Sequence, residues 1–160
     1  MARAAQADWE AYHDAVSFGD PDARELSAMW SSFCHALDDV IDGEALDTEG
    51  FSAEMVRALG AFSFNPFYQK HKHELWGLIV QSISYYMESD RWRYSQNPDE
   101  VKHANAMRAF YDCVNYQIGY IASGYSFEKM RVLTKQWRDF IWKDVNADGV
   151  GVVDEPWRAK

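Results

Sequence analysis

The sequence DPDARELSAMWSSFCHALDDVIDG, residues 20–43, decides the fold. Asp20 is placed to cap a helix that has Pro21 at its first position, and Gly43 is placed to end it. Between them one apolar stripe recurs at helical spacing: Leu26, Met29, Trp30, Phe33, Leu37, Val40 and Ile41. The spacing therefore predicts an amphipathic α-helix from Pro21 to about Asp42.

The rest of the chain shows the same signals for helix starts and ends. Two further Asx-Pro starts, Asn65-Pro66 and Asn97-Pro98, predict a long helix that fades near residue 90 and another that ends at Gly124. Shorter helices are predicted over 4–16, after Ser52 and from Ser126 to about 143. Only 150–153 shows a weak strand-like alternation. The sequence predicts an all-α, single-domain bundle of five to six helices across residues 1–160.

Composition narrows the function classes. The net charge is −9, and residues 1–60 hold 13 acids against three bases, which argues against nucleic-acid binding. Seven Trp, nine Tyr and nine Phe in 160 residues are many for one domain. Because large aromatic side chains are enriched at interfaces, we expect a homo-oligomer, a homodimer being the commonest form, or a complex with another protein.

The cellular compartment is predicted from absences in the sequence. No apolar run approaches the roughly 20 residues of a membrane span, and residues 1–20 lack the apolar segment of a signal peptide. Cys34 and Cys113 each lie in an apolar periodic segment, which favours two buried free thiols in a reducing compartment. We therefore expect a cytoplasmic protein with no membrane contact.

Three acids on one helix suggest a metal site. Asp38, Asp39 and Asp42 lie on the side opposite the apolar stripe, where we expect them to repel one another unless a cation or an arginine neutralises them. Oxygen ligands at this spacing suit Mg²⁺. The rest of this face has small side chains (Ser27, Ala28, Ser31, Ser32 and His35), which suit close packing or the wall of a cleft. The alternative interpretation is the solvated face of an amphipathic helix.

The segment from Phe33 to Gly43, FCHALDDVIDG, resembles the first aspartate-rich motif of isoprenoid synthases, especially the squalene and phytoene synthase group. That resemblance implies Mg²⁺ and, through it, a diphosphate. In small all-α nucleotide pyrophosphatases, carboxylates from two facing helices hold Mg²⁺. A similar arrangement here would pair Asp39 and Asp42 with Glu74 or Asp112 of another helix. This reading makes the protein a Mg²⁺-dependent enzyme acting on a phosphate or diphosphate ester. The alternative for Asp112 is a surface ion pair with Arg108, one helical turn away.

The C-terminal segment 144–155 fits the loop pattern of an EF-hand. Side-chain oxygens would come from Asp144, Asn146 and Asp148, and Val150 would supply a backbone carbonyl. Glu155 would be the bidentate last ligand. The sequence predicts a Ca²⁺ site here with a structural role, because too few residues follow for a second helix to move. The alternative is a tail that fits the pattern by composition.

A broader resemblance spans most of the chain. The aspartate-rich helix, Asn65-Pro66-Phe67-Tyr68, Glu74-Leu75, Tyr111-Asp112 and Met130-Arg131 are together similar to small all-α proteins encoded by tailed phages and prophages. The resemblance implies an accessory or assembly protein in the cytoplasm of a bacterial host. We expect such a protein to bind divalent cations through the two predicted sites, with the phosphate-ester enzyme as the alternative function.

Overall fold

The structure, a computed structural model, describes residues 6–41 and 48–145. Within those ranges every regular element is helical: α1 (Gln6–Ser17), α2 (Pro21–Ile41), α3 (Thr48–Phe64), α4 (Pro66–Arg93), α5 (Pro98–Arg108), a 3₁₀ turn (Ala109–Tyr111), α6 (Asp112–Ala122) and α7 (Phe127–Val145). The elements α5, the 3₁₀ turn and α6 follow one another without a loop. The described chain therefore forms six helical rods, which confirms the all-α bundle. None of these helices is both long and apolar enough to span a membrane.

Short connections bring three turns to one end of the bundle. Asn65, between α3 and α4, donates from Nδ2 to the backbone oxygen of Asp22 in the first turn of α2 (2.9 Å). The ammonium of Lys129, at the start of α7, lies 5.9 Å from the centre of the Phe18 ring in the α1–α2 turn. The start of α2, the α1–α2 turn, the α3–α4 junction and the start of α7 therefore meet at this end.

The core forms where α1, α2, α4, α6 and α7 meet. Its most deeply buried apolar side chains are Val16, Leu26, Trp30, Leu75, Val114, Ile118 and Met130. Trp30 also donates from its indole nitrogen to the backbone oxygen of Tyr111 (2.9 Å), so the largest core side chain satisfies its polar atom. This bond fixes the middle of α2 against the 3₁₀ turn.

Several helix boundaries differ from the sequence prediction. The third helix begins at Thr48, before Ser52, and is longer than predicted. The helix predicted from Pro98 to Gly124 is interrupted by the 3₁₀ turn at Ala109–Tyr111. The helix α4, predicted to fade near residue 90, continues to Arg93, whose side chain is buried and lies near Asp90.

Candidate functional site

The aspartate-rich end of α2 is held by a buried arginine. Arg108 on α5 donates from Nη2 to Oδ1 of Asp38 (2.7 Å) and to the hydroxyl oxygen of Tyr86 on α4 (2.6 Å). Tyr86 in turn donates to Asp38. The guanidinium carbon of Arg108 also lies 4.5 Å from the centre of the Tyr86 ring. An arginine therefore supplies the charge that neutralises Asp38, which is one of the two alternatives that the sequence left open.

The rest of the predicted Mg²⁺ site is only partly described. Asp39 is half-buried, and Asp42 lies outside the described residues. Within residues 6–41 and 48–145, no group of three or more His, Cys, Asp or Glu side chains is arranged to hold a metal ion. A Mg²⁺ ion at Asp38 would have to share that carboxylate with Arg108 and Tyr86.

The two carboxylates predicted as partners have other contacts. Asp112 accepts a hydrogen bond from the hydroxyl of buried Tyr12 (2.6 Å). Burial, and then the Asp112 charge, raise the pKa of Tyr12 well above its usual value. Arg108, predicted to pair with Asp112 at the surface, is instead buried against Asp38.

Glu74 lies far along α4 from the aspartates. It accepts from the hydroxyl of Tyr125 (3.0 Å) and lies 3.0 Å from Nδ1 of His71. The His71 hydrogen bond lowers the pKa of Glu74. Glu74 and Tyr86, which contacts Asp38, are separated by about 18 Å at about 1.5 Å per helical residue, so Glu74 does not meet the aspartates. His71 is half-buried beside Glu74.

The predicted Ca²⁺ loop lies almost wholly beyond the described residues. The helix α7 ends at Val145, so Asp144 falls within its last turn. Asn146, Asp148, Val150 and Glu155 lie outside the described residues. Calcium binding at 144–155 therefore stays a prediction from the sequence.

The small side chains of α2 do not form a solvated face. Ser27 and Ser31 are buried, and Ala28, Ser32 and His35 are half-buried. Ser31, Ala28 and His35 line a groove of about 910 Å³ between α1 and α2, with Arg57 of α3 at one side. The volume falls at the upper end of the roughly 300–1,000 Å³ of ligand pockets. Both roles suggested by the sequence, close packing and a cleft wall, are therefore realised on this face.

A buried polar network lies beneath that groove and reaches its lining through His13 and Ser31. Nδ1 of His13 on α1 lies 2.8 Å from Oγ of Ser27. Ser27 donates to Oδ1 of Asn115 on α6 (2.9 Å), and Nδ2 of Asn115 donates to Oγ of Ser31 (3.2 Å). Asn115 is completely buried and Ser27 likewise. The network joins three helices through side chains that are up to about 100 residues apart in the chain.

Burial governs the charge of His13. Desolvation, together with the positive charge of nearby Arg24, lowers the pKa of His13 to about 4. The ring is therefore neutral at physiological pH. The ring stacks on Trp9, with centroids 5.7 Å apart, and Trp9 is in edge contact with His35 at 4.9 Å. His13 is thus a fixed, uncharged hydrogen-bonding group in the groove.

A second surface feature lies on the outer side of α4. Trp76, Val80, Ile83 and Met87 follow one another at intervals of four, three and four residues. Trp76 and Met87 are 59% and 58% exposed, and Val80 is exposed as well. A neighbouring side of α4, about 100° around the helix, buries Leu75, Ile79 and Tyr86 in the bundle. This helix is therefore apolar on two sides, one of which is uncovered.

The sequence did not predict the residues that form the buried polar network or the outer stripe of α4. His13 and Asn115 meet Ser27 only through the tertiary fold, and no local pattern indicates that contact. The outer stripe of α4 is different, because its 4-3-4 spacing is legible in the sequence. The buried row of Leu75, Ile79 and Tyr86 obscures it, since a helix that is apolar on two sides shows no clear amphipathic period.

Comparison with known proteins gives no relative: no family model, no curated protein and no solved structure matches the chain.

Proposed function

We propose that this chain is a non-enzymatic accessory or assembly protein, of the kind that tailed phages encode. It acts as a homodimer joined through the outer side of α4, and it binds a divalent cation at residues 144–155. The proposal rests on the outer stripe of α4, in which Trp76, Val80 and Met87 are exposed and Ile83 is half-buried.

The spacing of the stripe suits a helix partner. Intervals of four, three and four residues are those of the a and d positions of a coiled coil, where side chains of two helices interlock. The stripe is about 16 Å long at about 1.5 Å per residue. Exposed large apolar side chains on one side of a helix, as Trp76, Val80 and Met87 are, mark interaction sites in soluble proteins. A second copy presents the same stripe, so two α4 helices can cover each other in a closed two-fold dimer.

The contacts of the acidic side chains favour a binding role over a catalytic one. Asp38 is held by Arg108 and Tyr86, and Asp112 by Tyr12. Glu74 lies about three helical turns from the Tyr86 contact. Within the described ranges these carboxylates do not form a group of three or more arranged to hold a metal ion, as a Mg²⁺-bound diphosphate would require.

The cation-binding part of the proposal is supported by the sequence pattern. Side-chain oxygens at the first, third and fifth loop positions, a glycine at the sixth and a carboxylate at the twelfth are the ligand set of a Ca²⁺ loop. The helix α7 leads directly into the first position, as an entering helix does.

Light scattering at micromolar concentration tests the dimer. We expect the wild type to have twice the 18.5 kDa mass of the chain. Trp76→Glu places a charge in the stripe and should give the monomer mass. Val132→Glu on α7 is the matched control, because Val132 is also 59% exposed and lies outside the stripe. A monomeric wild type, or equal dissociation by both variants, would contradict the proposal.

A further inference from the structure

We infer that the groove between α1 and α2 binds a primary ammonium group on an aliphatic chain, as in a polyamine or a lysine side chain, and that this group donates a hydrogen bond to Nε2 of His13. The site is independent of the proposed dimer, since the groove lining does not include the outer stripe of α4.

The tautomer of His13 sets the kind of ligand. Ser27 has one hydroxyl proton, and it donates that proton to Oδ1 of Asn115. Nδ1 of His13, 2.8 Å from Ser27 Oγ, must therefore carry the ring proton and donate it to Ser27. In a neutral imidazole the other nitrogen is then an acceptor. Nε2 of His13 thus requires a donor.

That acceptor faces the groove. His13 is 95% buried, being 5% exposed, and its ring lines the groove. Nδ1 is directed into the core at Ser27, so Nε2 lies on the groove side of the ring. Among the residues that the structure describes, Nε2 of His13 has no hydrogen-bond partner. Nε2 is not enclosed, unlike Nη1 of Arg108 and Nε1 of Trp137, so a donor on a ligand in the groove can reach it.

The charges around the groove favour a cation. Glu10, Asp22 and Glu25 supply three carboxylates to its lining. Of the two arginines in the lining, Arg24 is in an ion pair with Asp14, which lies outside it. When Asp14 is counted with the lining, four carboxylates stand against the two guanidinium groups of Arg24 and Arg57, so the net charge around the groove is negative. An ammonium group provides both the hydrogen-bond donor and the opposite charge.

The walls accommodate an aliphatic stem. Trp9 and Met29 line the groove beside His13 and present apolar atoms. A methylene chain can lie along such a wall while its ammonium group reaches polar partners, as lysine side chains do. The ligand is thus a flexible amine rather than a compact inorganic cation.

Isothermal titration calorimetry with spermidine, at low salt and pH 7.5, tests the site. The double variant Asp22→Asn, Glu25→Gln should weaken binding about tenfold, since two partly exposed charge contacts are removed. The double variant Asp99→Asn, Glu128→Gln makes the same change of charge outside the groove. We expect it to bind within about twofold of the wild type. Equal weakening by both double variants would show general charge attraction and overturn the proposal.

His13→Asn tests the hydrogen bond. The asparagine amide can retain the donor toward Ser27, whereas the Nε2 acceptor is lost. Spermidine binding should weaken about fivefold or more for a bond to a charged group. Circular dichroism must show a folded variant, and if it does not, the carboxylate variants decide. A folded His13→Asn protein that binds as the wild type does would overturn the proposal.

A capped Gly-Lys-Gly tripeptide, with a Gly-norleucine-Gly control, distinguishes the source of the ammonium group. Tighter binding of spermidine identifies a free polyamine. Binding of the lysine peptide, but not of the norleucine peptide, identifies a side chain of a partner protein. Absence of heat with both amines at several millimolar would overturn the ammonium site.

Discussion

Arg108 and Asp38, 70 residues apart in the chain, form an ion pair of 2.7 Å that joins α5 to α2. The arginine side chain is 8% exposed and that of the aspartate 28%. Removal of one member of a buried pair leaves the other charge without compensation, which costs more than the pair contributes. The pair is therefore a sensitive point of the bundle.

Asp38→Asn should destabilise the protein by about 2–4 kcal/mol, because Arg108 would remain buried without its carboxylate. Urea unfolding at pH 7 measures the change. Asp99→Asn is the control, since Asp99 is 87% exposed and pairs only at the surface with Lys102; its effect should be below about 1 kcal/mol. A neutral Asp38→Asn would show that the ion pair does not form in solution.

The response to Mg²⁺ should be small at the aspartate-rich helix. Arg108 already neutralises Asp38, so a Mg²⁺ ion gains less there than at three unpaired carboxylates. Melting curves with and without millimolar Mg²⁺ should shift equally for the wild type and for the triple variant Asp38→Asn, Asp39→Asn, Asp42→Asn. Both proteins carry Asp144→Ala to disable the other loop. A shift found only with the intact aspartates would restore the Mg²⁺ site.

Stability should fall as the pH falls from about 6.5 to about 4, because of His13. Its pKa is about 4 in the folded protein and about 6.5 when unfolded, so the unfolded chain binds the extra proton. The contribution is fully present above pH 6.5 and is reduced by about 2 kcal/mol at pH 5. Urea unfolding at pH 5 and 7 measures this loss, and His13→Asn should abolish this part of the slope. An unchanged slope in that variant would rule out His13 as the cause.

Gly119→Ala should destabilise the protein by about 1–3 kcal/mol, although alanine is the better helix former. A Cβ atom there would lie 3.1 Å from Met130 Cε and 3.3 Å from the backbone oxygen of Val16. Gly77→Ala on α4 is the matched control, because a Cβ there meets nothing within 4 Å. It should stabilise by about 0.5–1 kcal/mol. Thermal unfolding of both variants should give shifts of opposite sign.

Calcium should raise the melting temperature of the wild type, since a ligand that binds only the folded chain stabilises it. One unpaired loop predicts weak affinity, roughly 10⁻⁴ to 10⁻³ M. Asp144→Ala removes the first ligand and should abolish the rise, whereas Asp99→Asn should retain it. No shift at several millimolar Ca²⁺ would count against the loop.

The sequence predicted the helices best where a capping residue lies next to the helix start. Asn65 and Asn97 cap the helices that they were expected to cap, since each side-chain oxygen accepts from a backbone N–H within three residues. The start of α3 at Thr48 was missed, although Asp47 directly before it is of a type that caps helices, because Ser52 offered a second candidate cap. The 3₁₀ turn at Ala109–Tyr111 was missed as well, since no glycine or proline marks it.

The site was harder to predict because its contacts are long-range. The small-residue face of α2 indicated a cleft or close packing, and Ser27 and Ser31 show that its first half is packed. Nothing local shows that Arg108 reaches Asp38 rather than Asp112, since both carboxylates suit a guanidinium. The choice depends on the packing of α5 against α2 and α4, which the periodicity of α5 alone does not set.

The late position of Asn115 in the sequence determines when the polar network can form during translation. It is the last part of its network to be made, 88 residues after Ser27. At about 5–20 residues per second, the ribosome adds it about 4–18 s after Ser27. Until then the hydroxyl of Ser27 can bond to His13 but not to the amide of Asn115, so its proton is donated to water. The polar network between α1 and α2 is therefore completed only after α6 has been made.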